Sequence, residues 1–459
     1  MKIQPHLTAL VVLLSLVRAF PATNYVILGD NVQTNINASA PGDTLVVQAG
    51  SYSGNLVFNR SLTVLRSGSN LLQFAGTVQM AGTGAQYFAD CQFSSAVTVL
   101  TTGQVSFARC EFLSPVTSQA ANLLLSGVRC ASGFSANLAV GSGTNLQAFD
   151  SRIENGLSIS GGKSLLKRTM TTALGLTLTN NASVELLRYT NGGQFIAVSS
   201  GGTRPSVVAA QCNFDLVNAP TKISGYDLWL GYSKFNLVNQ GMQLTNCNTV
   251  SVGNRIFDDY SAGFTMLICH GGTFRAYNTA ITRPGDSGGV AVGVISNRLE
   301  FRNCTVRGGN GNSATPSVAV TVSASQSALI ENSIIEAKYG VVSDTLLPVS
   351  YCNIYGLNPL DGQAGPLINC INSPPQFQDT ILFKLSPGSP CLNAGAPDPI
   401  FNDRDGTRND MGYTGGPLFN EANYTNNNPM VFFQAAMPQT VLKGLQTNIL
   451  INAAASAGH

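Results

Sequence analysis

ADCQF occupies residues 89–93, and ARCEF follows at 108–112. The same shape returns in FDSRI (149–153), AQCNF (210–214), GYSKF (231–235), YNTAI (277–281), RNCTV (302–306), ENSII (331–335) and SYCNI (350–354). Each string sets a small residue two places before a large apolar one, after a β-rich stretch and ahead of a polar turn. Taking the small residue as a landmark gives Cys91, Cys110, Cys130, Ser151, Thr169, Thr190, Cys212, Ser233, Arg255, Thr279, Cys304, Ser333 and Cys352. Cys130, Thr190 and Arg255 fit the pattern less well than the rest. Successive landmarks lie 18 to 29 residues apart, with a mean close to 22.

A period near 22 with short β-branched strands, Gly/Asn turns and no helical periodicity predicts an all-β chain. The expected fold is a right-handed parallel β-helix, a solenoid of about thirteen coils closed by a C-terminal capping segment. At about 4.8 Å per coil the rod is roughly 60 Å long. A β-propeller needs a repeat of about 40–45 residues with its own aromatic marks, and this chain has a single Trp. A β-sandwich would show irregular spacing and hairpin turns. Asn254, Asn278, Asn303 and Asn332 each stand one place before a landmark in four consecutive coils. They read as an asparagine ladder, because Asn tolerates the left-handed turn and its amide can bond to the next coil.

The 459 residues are 10% charged and 44% hydrophobic, with a net charge of +2. No basic surplus exists to neutralise phosphates, so nucleic acid is not an expected partner. Lys2, the apolar run Leu7–Val17 and the small-residue site at Val17 and Ala19 read as a signal peptide over 1–19. The expectation is a secreted protein, extracellular or at the cell surface, monomeric and without a membrane span. Of ten cysteines, six fall on landmarks, where a small thiol packs as well as Ser or Thr. Mostly free, stacked core thiols follow, with Cys370 and Cys391 the leading exception. No CxxC or Cys/His cluster points to zinc.

Residues 41–65, PGDTLVVQAGSYSGNLVFNRSLTVL, and 383–417, FKLSPGSPCLNAGAPDPIFNDRDGTRNDMGYTGGP, carry a family resemblance. They are similar to the opening and closing segments of secreted bacterial right-handed parallel β-helix proteins in the pectate-lyase-like group. The resemblance implies that architecture over about residues 25–420. It implies no single activity, since the group includes lyases, hydrolases, epimerases and proteins of unknown role. The division that follows is a rod over 25–365, a cap with an Asp-rich loop over 366–428, and a strand-like tail or further domain over 429–459.

Three places invite a chemical reading. Asp403, Asp405 and Asp410, with Gly406 at the turn, suit an oxygen-loving cation such as calcium. The equal alternative is an Asx-turn cluster bonding backbone amides. PGDSGGV at 284–290 spells the nucleophile motif of trypsin-like proteases around Ser287. Of three histidines only His270 lies inside the rod, and no TAAHC-like string precedes it, so Ser287 reads as a turn residue and not a nucleophile. Finally, Asp258, Asp259, His270 and Arg283 gather where the coils lengthen, and landmark register stacks Asp259 beside Arg283. They are the candidate groove residues for acid–base chemistry on a polysaccharide. Asp258–Asp259 and His270-Gly271-Gly272 echo polygalacturonase strings at the wrong spacing. Asp90, Arg109, Arg129, Asp150 and Arg168 form an outward charge ladder in the same fold. The expected role is therefore a non-catalytic rod interacting with glycans or matrix material. The alternative is a polysaccharide lyase or glycoside hydrolase acting on an acidic or plant-type polysaccharide.

Overall fold

The computed structural model describes residues 21–131, 138–216, 221–238, 241–258, 265–283, 289–295, 298–309, 317–323, 327–379, 382–419, 430–436 and 450–456. The signal-peptide reading of 1–19 lies outside them, as do Asp259 and Ser287. Strands stack in parallel into a right-handed β-helix of about fifteen coils with a period of about 21. A coil has three strands, as in Val78–Met80, Gln86–Ala89 and Cys91–Phe93. They pair in register with Val97–Val99, Gln104–Ala108 and Glu111–Phe112 of the next coil. These series build a first, second and third sheet along the rod. The coil count exceeds thirteen partly because the row continues at both ends, through Leu72 before Cys91 and Cys370 after Cys352.

Alternation along each short strand sends every second residue into the rod. Equivalent inward residues then stack on their copies. Phe74, Phe93 and Phe112 lie with ring centroids 5.6 and 5.0 Å apart, and Phe214 and Phe235 at 4.6 Å.

The corner between the second and third sheets explains the landmark. From Asp90 onward the residue before the landmark adopts a left-handed conformation there, as in Asp90 at φ 58°, Arg168 at 49° and Asn303 at 50°. The next residue points inward, and its short donor caps the carbonyl two places back. Ser151 Oγ donates to Phe149 O at 2.8 Å, Cys304 Sγ to Arg302 O at 3.4 Å and Ser333 Oγ to Glu331 O at 2.8 Å. Small residues with a hydroxyl or thiol serve this position best.

Strand register corrects three landmarks. The corner row runs through Val128, Tyr189 and Asn254 rather than Cys130, Thr190 and Arg255. Val128, Tyr189 and Asn254 are too large to be recognised as small residues, which displaced the reading by one or two places. Asn254 therefore sits on the landmark row, with Gly253 in the left-handed place before it at φ 67°. It does link coils, accepting from Ser233 N–H at 2.8 Å and donating to Leu230 O at 2.6 Å. Asn278, Asn303 and Asn332 occupy the left-handed row as expected, but their amides do not form a coil-to-coil ladder. They hold the closing segment instead.

Helix α1, Val32–Ala38, closes the N-terminal end; Asn31 caps it by accepting from Thr34 N–H at 3.0 Å, and Val32 and Ile36 enter the core. At the other end the last long strand, Asn358–Ile368, pairs with register shifts and contains Pro366. A missing N–H and an irregular register discourage further strand addition at this edge. The chain then folds back along the rod. Ala396 N–H donates to Asn332 Oδ1 at 2.7 Å, and Asn303 Nδ2 to Asn409 Oδ1 at 2.7 Å and Asp410 O at 3.0 Å. Asn278 Nδ2 donates to Tyr413 O at 2.8 Å, and Tyr232 Oη to Leu418 O at 2.7 Å. The segment thus runs back over coils nearer the N-terminus. Gly416, at φ 77°, approaches so closely that a Cβ would lie 2.9 Å from Asn303 Oδ1. That approach accounts for the Thr-Gly-Gly-Pro string.

All ten cysteines are free. The Cys370–Cys391 pairing is corrected: Cys370 follows Cys352 in the corner row, whereas Cys391 lies in the closing segment and accepts from Asn353 Nδ2 at 3.0 Å. Met430–Ala436 pairs antiparallel with Leu450–Ser456.

Candidate functional site

The strand Asp227–Gly231 reads DLWLG, with Leu228 and Leu230 buried. Alternation therefore leaves Asp227 and Trp229 on the outward face of the second sheet, with Gly231 buried at the strand's end. Register flanks Trp229 with Val208 and Val250, and Val250 is followed by Arg275 and Glu300 on succeeding coils. The indole is half-buried on this face. A polar row runs parallel to it. Asn248 Nδ2 donates to Asp227 Oδ1 at 2.9 Å, and Thr273 Oγ1 to Asn248 Oδ1 at 3.4 Å.

Val252 and Tyr277 continue the face nearer the corner. Burial, with the neighbouring Glu300 carboxylate, pushes the Tyr277 phenol up to about 12, so it stays protonated and can donate. Glu300 is itself bridged by Arg298 at 2.9 Å and Arg302 at 3.1 Å. The result is a sheet-borne platform: one indole among aliphatic side chains, edged by amide, carboxylate and hydroxyl groups. Such a surface suits a ligand with apolar faces and hydroxylated edges. Sequence reasoning missed it by judging outward aromatics too few. The signal was present, because Leu-Trp-Leu in a short strand can bury its leucines only by turning Trp outward.

Three of the four candidate groove residues, Asp258, His270 and Arg283, are described. Asp258 and Arg283 are both wholly buried and paired, with Oδ2 3.6 Å from Nε. Landmark register paired Arg283 with Asp259; the structural register pairs it with Asp258, because Asn254 and not Arg255 is the corner residue. Backbone bonds place Asp258 and Arg283 in an inward row that begins Leu216, Leu237 and continues to Gly308 and Ala337. Burial holds the Arg283 guanidinium below its ordinary value, opposed by the Asp258 charge. His270 is exposed, the fourth residue of the strand Leu267–Tyr277. Asp258 and Arg283 are brought together as a core ion pair, whereas His270 is exposed.

In the cap, each carboxylate bonds protein groups. Asp403 Oδ2 accepts from Asp410 N–H at 3.1 Å, Asp405 Oδ1 from Thr407 N–H at 2.9 Å, and Asp410 Oδ1 from Asn393 N–H at 2.7 Å. Burial raises Asp403 and pushes Asp410 up to about 6, while bonding to Thr407 lowers Asp405. Among the described residues no group of three or more His, Cys, Asp or Glu could hold a metal ion. The geometry is that of turns fastened by Asx contacts.

The charge ladder divides as well. Arg109 grips Asp90 at 2.7 and 2.8 Å, and Arg168 grips Asp150 at 2.6 and 2.8 Å. Arg129 stands off that row and reaches Glu111 at 3.0 Å and Glu154 at 3.2 Å. Among the described residues no helix is long and apolar enough to cross a membrane. No protein-family model matches the chain, and no curated protein matches it significantly.

Proposed function

We propose that this chain is a secreted, non-catalytic rod that binds an extended polysaccharide on the outward sheet around Trp229. The observation that carries the reading is the half-buried indole placed by register between Val208 and Val250, beside the bonded row Asp227–Asn248–Thr273. A pyranose ring offers an apolar face to the indole and hydroxyls to the polar row, and the stacked coils lay the flanking side chains out along one axis. The leader-like N-terminus and the resemblance to pectate-lyase-like β-helix proteins support an extracellular setting. The described candidates do not favour the competing lyase or hydrolase reading, since Asp258 faces Arg283 in the core and His270 is exposed.

Affinity electrophoresis or calorimetry across a panel of neutral and acidic polysaccharides tests the proposal. Binding to at least one class is expected, weakened roughly tenfold or more by Trp229→Ala, the equivalent of about 1.4 kcal/mol. Unchanged affinity in that variant, or no binding across the panel, overturns it. New reducing or unsaturated ends generated by the wild-type protein overturn its non-catalytic part.

A further inference from the structure

Cys352 and Cys370 hold equivalent corner positions on the last two coils. Ile371 N–H donates to Cys352 O at 2.9 Å, Ile354 N–H to Ile371 O at 2.9 Å, and Tyr351 N–H to Ile368 O at 2.8 Å. Cys352 N–H is directed at Cys370 Sγ, 3.5 Å away. Parallel strands stand about 4.7–4.9 Å apart, within the span of about 4.4–6.8 Å between Cα atoms that a disulfide bridges. Both thiols are free. Cys352 is buried, whereas Cys370 is partly exposed on the final turn of the rod. Hydrogen bonding from the Cys352 thiol pulls Cys370 down to about 7, while burial and the same contact push Cys352 up. An accessible thiolate thus stands over a buried partner.

We propose that Cys352 and Cys370 are a redox-modifiable pair, closed into a disulfide by a small-molecule disulfide such as oxidised glutathione. The Cys370 thiolate attacks one sulfur of the reagent, forming a mixed disulfide and expelling one glutathione thiolate. Cys352 then yields its proton to solvent, attacks the Cys370 sulfur and expels the second glutathione. Two protein thiols are oxidised to one disulfide, and the reagent is reduced to two thiols. The bond staples the last coil to its predecessor at the rod's less guarded end. Cys91 and Cys110 share the same register, but both are buried between coils. They form a built-in control. This inference does not depend on polysaccharide binding.

The test treats the full chain with oxidised glutathione, alkylates the remaining thiols and maps peptides by mass spectrometry. A Cys352–Cys370 disulfide is expected, formed faster as pH rises through about 7 and reversed by dithiothreitol, with Cys91 and Cys110 left reduced. Cys352→Ser should stop at a glutathione adduct on Cys370; Ser is native to this row at 151, 233 and 333, so the variant should keep the fold. A lasting adduct on wild-type Cys370, a bond to Cys391, or equal oxidation of Cys91 and Cys110 overturns the proposal.

Discussion

The two halves of the rod use one corner in opposite ways. In the N-terminal half the left-handed row carries Asp90, Arg109, Asp150 and Arg168, which reach into solvent and pair with one another. In the C-terminal half the same backbone conformation is held by Asn278, Asn303 and Asn332, all buried beneath the closing segment. The interior differs too: Leu216 and Leu237 give way to Asp258 and Arg283. Coil geometry fixes the conformation, and whatever lies against the corner selects the side chain. A long charged group suits a solvated corner. A covered corner needs a compact group that tolerates positive φ and satisfies backbone partners.

The contrast can be broken in graded steps. Asp258→Ala should have the largest effect, about 3–5 kcal/mol, because it strands a buried guanidinium. Urea denaturation reads it. Replacing both partners, Asp258→Leu with Arg283→Leu, should restore much of the loss by extending the leucine row. Asn303→Ala comes next, at about 2–3 kcal/mol, since Asn409 Oδ1 and Asp410 O lose their buried donor. It should also expose residues 393–419 to limited proteolysis, while the N-terminal coils stay resistant.

A pH effect is smaller. The Asp410 pKa is raised to about 6 in the folded protein against an ordinary 3.8. Its contribution to stability is therefore fully present below the ordinary value and is lost as pH rises through about 6. The closing segment should resist protease better at pH 5 than at pH 7, and Asp410→Asn should flatten that difference. The smallest effect belongs to the solvated corner. Arg109→Ala should shift the urea midpoint little, and the shift should vanish in about 0.5 M salt. A large loss there would sink the distinction between the halves.

Much of the rod was legible because its repeat is local. A left-handed turn, a short inward donor and a large apolar residue fall within five positions, so ADCQF and its relatives announce the coil. Register failed where the inward residue broke the size rule, at Val128, Tyr189 and Asn254. That one-place error moved the expected partner of Arg283 from Asp258 to Asp259. The Trp229 platform was readable from Leu-Trp-Leu alone, but its neighbours Val208, Val250 and Arg275 come from three other coils.

By itself the sequence determined the period, the all-β character and the residue types that line the corner and core, since these depend on backbone sterics and side-chain size within a few residues. Tertiary structure alone decided which amides meet which carbonyls. Asn303 finds Asn409 across 106 residues, and Cys352 meets Cys370 rather than Cys370 meeting Cys391. Such pairings depend on how many residues each intervening turn consumes and on the path of a segment returning outside the repeat, and neither leaves a periodic mark in the chain.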